Sequence, residues 1–83
     1  MSKREIEDEV HKAIAAIPGR LKEARGDLEM TQAQASRKSG IKPEAISHYE
    51  TGRRTPKLPS LVKLAEVYQV SIDWILGRKE SKT

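Results

Sequence analysis

Residues 31–56, Thr31-Gln-Ala-Gln-Ala-Ser-Arg-Lys-Ser-Gly40-Ile-Lys-Pro-Glu-Ala-Ile-Ser-His-Tyr-Glu50-Thr-Gly52-Arg53-Arg54-Thr55-Pro56, decide how this chain folds. Thr31 can accept a hydrogen bond from the free amides that open a helix over about 32–39, and Gly40 supplies the left-handed residue that ends it. Pro43 has no amide hydrogen and suits the first position of a second helix over about 43–51, which Gly52 closes. The result is two short helices around a tight turn, followed by a Gly-Arg-Arg loop.

Charge follows the same segment. Residues 31–60 carry Arg37, Lys38, Lys42, Arg53, Arg54 and Lys57 against only Glu44 and Glu50, a net of +4. Residues 1–10 carry Lys3 and Arg4 against Glu5, Glu7, Asp8 and Glu9, a net of −2. Positive charge is therefore concentrated where two helices and a tight turn present a polar face, the arrangement of a helix-turn-helix unit that docks on double-stranded DNA.

The 83 residues suffice for one small domain, and at this length no separate effector domain is expected. With no Phe, one Trp and two Tyr, the core must come mainly from Leu, Ile, Val and Ala. The absence of Cys excludes disulfides and thiolate metal sites. No run approaches a membrane span, so a cytoplasmic protein with no membrane partner is expected.

Outside the central segment the pattern is also helical. Ser2 and Glu5 form a capping box for a helix over about 3–16, with Ile6, Val10, Ala13, Ile14 and Ile17 on one face. Pro18-Gly19 then predicts a break and a new helix over about 18–28 that turns Leu21, Ala24 and Leu28 inward. Pro56 and Pro59 precede a helix with Leu61, Leu64, Ala65 and Tyr68 inward, and Ser71 caps a last one over Ile72–Leu76, closed by Gly77. Residues 79–83 read as a frayed tail. No strand or repeat signal appears, so the expected class is all-α with six helices.

From Ile17 to about Arg78 the chain resembles the Cro/phage-repressor (XRE) family. The resemblance rests on Ile17-x-x-Arg-Leu-Lys-x-Ala-Arg25, Thr31-Gln32, Arg37-Lys38-x-Gly40-Ile41 and Ile46-Ser-x-Tyr-Glu50-x-Gly52-Arg53-Arg54-x-Pro56. Leu61-Val-Lys-Leu-Ala65 and Val70-Ser-Ile-Asp-Trp-Ile-Leu-Gly77 continue it in order. It implies a five-helix, lambda-repressor-like bundle over 17–78 that binds operator DNA as a homodimer and regulates transcription, with residues 1–16 as an extra N-terminal amphipathic helix. It also implies a bidentate ion pair between Arg25 and Glu50, and a bridge from Gln32 to the recognition helix. The chain departs from the family pattern at Ala35, Ser36 and Ser39, where larger or apolar residues are usual, so thin packing is expected there. Glu29 and Gln69 stand where Gly is frequent.

At about 100° per residue, Glu44, Ser47, His48 and Thr51 share one side of the second helix, opposite the apolar anchors. Outward residues near the start of a recognition helix reach base edges in the major groove, which makes Lys42, Pro43, Glu44, Ser47 and His48 the expected base readers. Gln32, at the positive end of the preceding helix, can hold a phosphate together with Thr31. Thr51, Arg53, Arg54 and Lys57 lie where backbone phosphates of the second strand would run. Glu50 faces inward, where a lone carboxylate is costly, so its role is structural.

His11 and His48 have no HExxH, Ser-His-Asp or thiolate company, and no phosphate-binding glycine loop is present, so no enzyme, metal or cofactor is expected. Three related readings stay open: a repressor-like regulator, an antitoxin or restriction-modification controller, and a protein-interaction module using residues 1–16. The apolar stripe of that segment must be covered. It can fold back over the helix at 32–39 or pair with a second subunit, and the dimer contact is the favoured expectation.

Overall fold

In the computed structural model, which describes residues 1–83, the Ser2 hydroxyl accepts the Glu5 amide at 3.2 Å, and the Glu5 carboxylate accepts the Ser2 amide at 3.1 Å. These bonds, the backbone one first, hold the Glu5 carboxyl below its usual value. The helix they open, α1, runs from Lys3 to Asp27 without interruption. The expected break at Pro18 does not occur. Proline forfeits one intrahelical bond there, but Ile17 before it offers no capping side chain and Gly19 does not turn left-handed. Ile17 and Leu21, one turn apart on either side of Pro18, are 4% and 1% exposed in the same core, and their burial holds both halves in one helical register.

Four shorter helices follow: α2 (Gln32–Ser39), α3 (Pro43–Thr51), α4 (Leu58–Tyr68) and α5 (Ile72–Ile75). The chain is thus an all-α bundle of five helices, and the extra N-terminal segment is the leading half of α1. A 25-residue helix is about 37 Å long, against molecular dimensions of 42 × 25 × 18 Å. Its first turns therefore stand clear of the bundle, and residues 1–8 are exposed throughout.

The core is built on Leu21, Ile46, Leu64, Trp74 and Ile75, each almost fully buried. Leu61, Leu64, Ala65 and Tyr68 of α4 face inward as their spacing predicts. Leu28 does not: it sits at the C-cap of α1 and is 42% exposed. Arg20 lies over the Trp74 ring, 4.6 Å from its centroid, and closes the core between α1 and α5.

Two helices end where the family places glycine and this chain does not. Glu29 adopts φ 53° and Gln69 φ 58°. After α1, Met30 N–H reaches Arg25 O and Glu29 N–H reaches Gly26 O. After α4, Val70 N–H reaches Ala65 O and Gln69 N–H reaches Glu66 O. Each is a Schellman ending, which requires a left-handed residue whatever its side chain.

The tail, expected to fray, folds back. Ser71 N–H donates to the Lys82 carbonyl at 2.6 Å, and the Lys82 ammonium bonds Asp27 and lies 3.6 Å from Glu23. Opposite charges on the last turns of α1 draw the tail in, a signal that composition at a chain end does not carry.

Candidate nucleic-acid interface

The Thr31 hydroxyl accepts the Gln34 amide at 3.1 Å, and the Gln34 side chain accepts the Thr31 amide at 2.8 Å, so a full capping box opens α2. The amides of Gln32 and Ala33 have no carbonyl within the helix to bond, because they belong to its first turn. They form a small positive end of α2.

The turn into α3 is held by side chains that the family pattern would make apolar. The Ser36 hydroxyl donates to the Ile41 carbonyl, while the Ser39 hydroxyl accepts the Ile41 amide at 3.1 Å. Gly40, at φ 77°, donates its amide to the Ser36 carbonyl at 2.8 Å. Packing is not lost at Ala35, which is fully buried. The two serines therefore fix the angle between α2 and α3 through hydrogen bonds, where bulk would otherwise do so.

Pro43 opens α3 behind Lys42, which is extended and makes no side-chain cap. Ile46 and Tyr49 are buried at 1% and 7%, and they set the rotation of the helix. With those anchors inward, Glu44 and Thr51 are exposed and Ser47 and His48 half-buried on the outer side of α3, while Lys42 and Pro43 are exposed at its N-terminal end. His48 Nδ1 is buried without a hydrogen-bond partner, which leaves Nε2 as the edge this imidazole can present. The Thr51 hydroxyl is turned back on its own helix, donating to the carbonyls of Ser47 and His48 at 3.1 and 3.3 Å. Of the residues read as phosphate contacts, Thr51 and Thr31 thus have hydroxyls engaged within the protein.

Beyond Gly52, whose Cβ position would lie 3.6 Å from Pro18 Cγ, the exit loop carries Arg53, Arg54 and Lys57 into solvent. The Arg54 amide donates to the His48 carbonyl at 3.3 Å and closes the end of α3. Every ion pair of the molecule involves Lys12, Arg25 or Lys82. Arg37, Lys38, Lys42, Arg53, Arg54 and Lys57 are thus all exposed and unpaired.

Beneath this surface Arg25 donates from Nε and Nη2 to the two oxygens of Glu50, at 2.7 and 2.8 Å, and from Nη1 to the Met30 carbonyl at 2.7 Å. Glu50 raises the Arg25 pKa above its usual value, through these hydrogen bonds foremost. Gln32 Nε2 donates to Glu50 Oε1 at 3.1 Å, the bridge that the resemblance implied. The Tyr68 hydroxyl is buried beside this pair without a partner, and its sequence position marks it as no more than a core residue. Burial, then the charge of Glu50, pushes its pKa up to about 12.

The Helix-turn-helix family model (HTH_3) matches residues 21–75, well over half of the chain. The chain belongs to this helix-turn-helix family. Its relatives include the HTH-type transcriptional regulator ImmR of Bacillus subtilis, 43% identical over 61 residues that make up 74% of this chain and 48% of that protein. The cryptic phage CTXphi transcriptional repressor RstR of Vibrio cholerae is 37% identical over 62 residues, 75% of this chain and 55% of that one. The uncharacterized HTH-type transcriptional regulator YobD of Bacillus subtilis is 40% identical over 58 residues, 70% of this chain and 52% of its own. The chain spans about half the length of these curated relatives. No solved structure gives a significant match.

No cluster of three or more His, Asp or Glu side chains is spaced to hold a metal ion. No helix is long and apolar enough to cross a membrane.

Proposed function

We propose that this chain is a sequence-specific, non-enzymatic DNA-binding transcriptional regulator of the repressor kind, which meets its operator in the cytoplasm. In this reading α3 enters the major groove, with Glu44, Ser47 and His48 toward base edges and Lys42 and Pro43 at the groove entrance. Glu44 accepts from a cytosine amino group, and His48 Nε2 or the Ser47 hydroxyl donates to purine N7 or O6. Gln32 and the free amides of α2 hold one phosphate, with Thr31 beside them, and Arg53, Arg54 and Lys57 hold others past Thr51. Two copies bind a two-fold operator, each reading one half-site.

The single observation that carries this reading is the coincidence of the outward polar face of α3 with six unpaired cations on the same segment. Membership of the helix-turn-helix family, and relatives named as regulators and a repressor, point the same way. Selecting bound sites from a random DNA pool tests it. The expected result is a recurrent site with two inverted halves about one helical turn apart, bound more weakly as salt rises. Recovery of unrelated sequences, or binding insensitive to salt, refutes it.

A further inference from the structure

We propose that Pro18 is a positioning residue for DNA binding: its ring is the rigid seat that holds the exit loop of α3, and with it Arg54, within reach of a phosphate. Its role rests on the reading of that loop as a phosphate contact. The loop itself has little to hold it. Across residues 52–56 the only main-chain hydrogen bond is the 3.3 Å one from the Arg54 amide to the His48 carbonyl.

Packing fixes the two ends of the loop instead. Pro56 is buried at one end. At the other, Gly52 is left-handed at φ 78° and lies so near α1 that a Cβ on it would stand 3.6 Å from Pro18 Cγ. Arg53, Arg54 and Thr55 span the gap between these points and are exposed.

The fold makes no comparable use of Pro18. It is half-buried, stands outside the core cluster, and deprives the Ile14 carbonyl of its intrahelical donor. Alanine there would give a stronger helix on the same anchors, Ile17 and Leu21. A proline ring supplies something else: closed on its own backbone, it has no rotamer to turn aside and loses no side-chain entropy under Gly52. Beside this contact lies a cavity of about 160 Å³, lined from α1 by Ile14, Ala15 and Pro18 and from the loop by Gly52, Arg54 and Thr55. Without the ring, cavity and contact merge, and the loop can settle toward α1. Direct N–H···O bonds hold only over about 2.7–3.2 Å, so a loop settled by about 1 Å carries the Arg54 guanidinium out of contact.

The test compares the wild-type full chain with Pro18→Ala, Arg54→Ala and the double variant. Thermal melts are recorded without DNA. Anisotropy titrations use a labelled duplex of mixed sequence, which reports phosphate contacts whatever bases α3 reads. Pro18→Ala regains an amide for the Ile14 carbonyl, so it should melt no lower than the wild type. It should nevertheless bind about fivefold to tenfold more weakly at about 0.1 M salt, with a shallower salt slope, because each phosphate contact contributes ~eightfold per decade of salt. Arg54→Ala should lose as much. The double variant should bind within about twofold of Arg54→Ala, because the seat acts through that arginine. Wild-type affinity for Pro18→Ala, additive losses in the double variant, or a loss accompanied by a lower melting temperature each overturns the proposal. If Arg54→Ala alone weakens binding, the phosphate reading of the loop stands and only the seat falls; if Arg54→Ala binds like the wild type, both fall.

Discussion

Arg25 holds both carboxylate oxygens of Glu50 while its remaining nitrogen caps the Met30 carbonyl, so one guanidinium joins α1, the loop before α2, and α3. Gln32 adds a fourth attachment from the first turn of α2. The angle of the α2–α3 unit is therefore fixed from beneath by one charged cluster, whose side chains are 17% exposed at Arg25 and 3% at Glu50. Desolvating two charges is expensive, and here each oxygen and nitrogen finds a partner, so the pair determines geometry more than it adds stability.

Replacing Arg25 or Glu50 alone by Ala should destabilise the fold by about 3–5 kcal/mol, because each leaves the other charge buried and unpaired. The double replacement should cost distinctly less than the two singles added together. Urea denaturation of the four proteins measures the coupling. Additive losses would mean that the pair does not act as a unit.

Tyr68 makes a second, pH-dependent claim on the same cluster. Its pKa is raised from 10.0 to about 12, so the folded state resists losing that proton. Stability from this group is complete below about pH 10 and is lost as pH rises through about 12, a contribution of at most about 2–3 kcal/mol. Tyr68→Phe removes a hydroxyl that has no hydrogen-bond partner. The variant should match or exceed the wild type in stability at neutral pH and show a flatter decline between about pH 10 and 12. Parallel alkaline curves for the two proteins would refute the assignment.

Much of this architecture is legible in the sequence because local signals and burial agree. Thr31, Gly40, Pro43 and Gly52 bound α2 and α3 where their cap and turn chemistry predicts, and the ion pair of Glu50 follows from a resemblance that its inward position supports. Pro18 misleads because a proline without a preceding cap is overruled by two core anchors one turn apart, and anchoring is a tertiary fact. Ser36 and Ser39 read as missing bulk, whereas they bond the turn, since a polar residue's partner cannot be seen along the chain. The tail misleads for the same reason: Lys82 is held by Glu23 and Asp27, far from it in sequence.

The left-handed residues Glu29 and Gln69 predict easy gains in stability. A side chain with a Cβ is strained at φ 53° or 58°, by roughly 1–2 kcal/mol, while glycine gives back part of that through its freer unfolded state. Glu29→Gly and Gln69→Gly should each stabilise by up to about 1 kcal/mol, and together nearly additively, as the sites share no side-chain partner. Thermal melts check this. A lower melting temperature for both variants would show that Glu29 and Gln69 make compensating contacts.

The division of labour across the proposed interface gives the most specific expectation. Glu44 and His48 lie on the outer surface of α3, whereas Arg53 leaves from the loop beyond it, unpaired and exposed. Glu44→Ala and His48→Ala should alter which bases are preferred, at about 1–3 kcal/mol for each lost contact, with little change in the dependence on salt for Glu44. Arg53→Ala should weaken binding to every sequence alike and make the logarithmic salt slope shallower by about one unit, because a phosphate contact releases counterions whatever base lies nearby. Binding titrations on a selected site and on single-base variants, each at several salt concentrations, separate the two behaviours. If Glu44→Ala and Arg53→Ala produced the same uniform loss, α3 would not be reading bases through this face, and its orientation in the groove would have to be assigned anew.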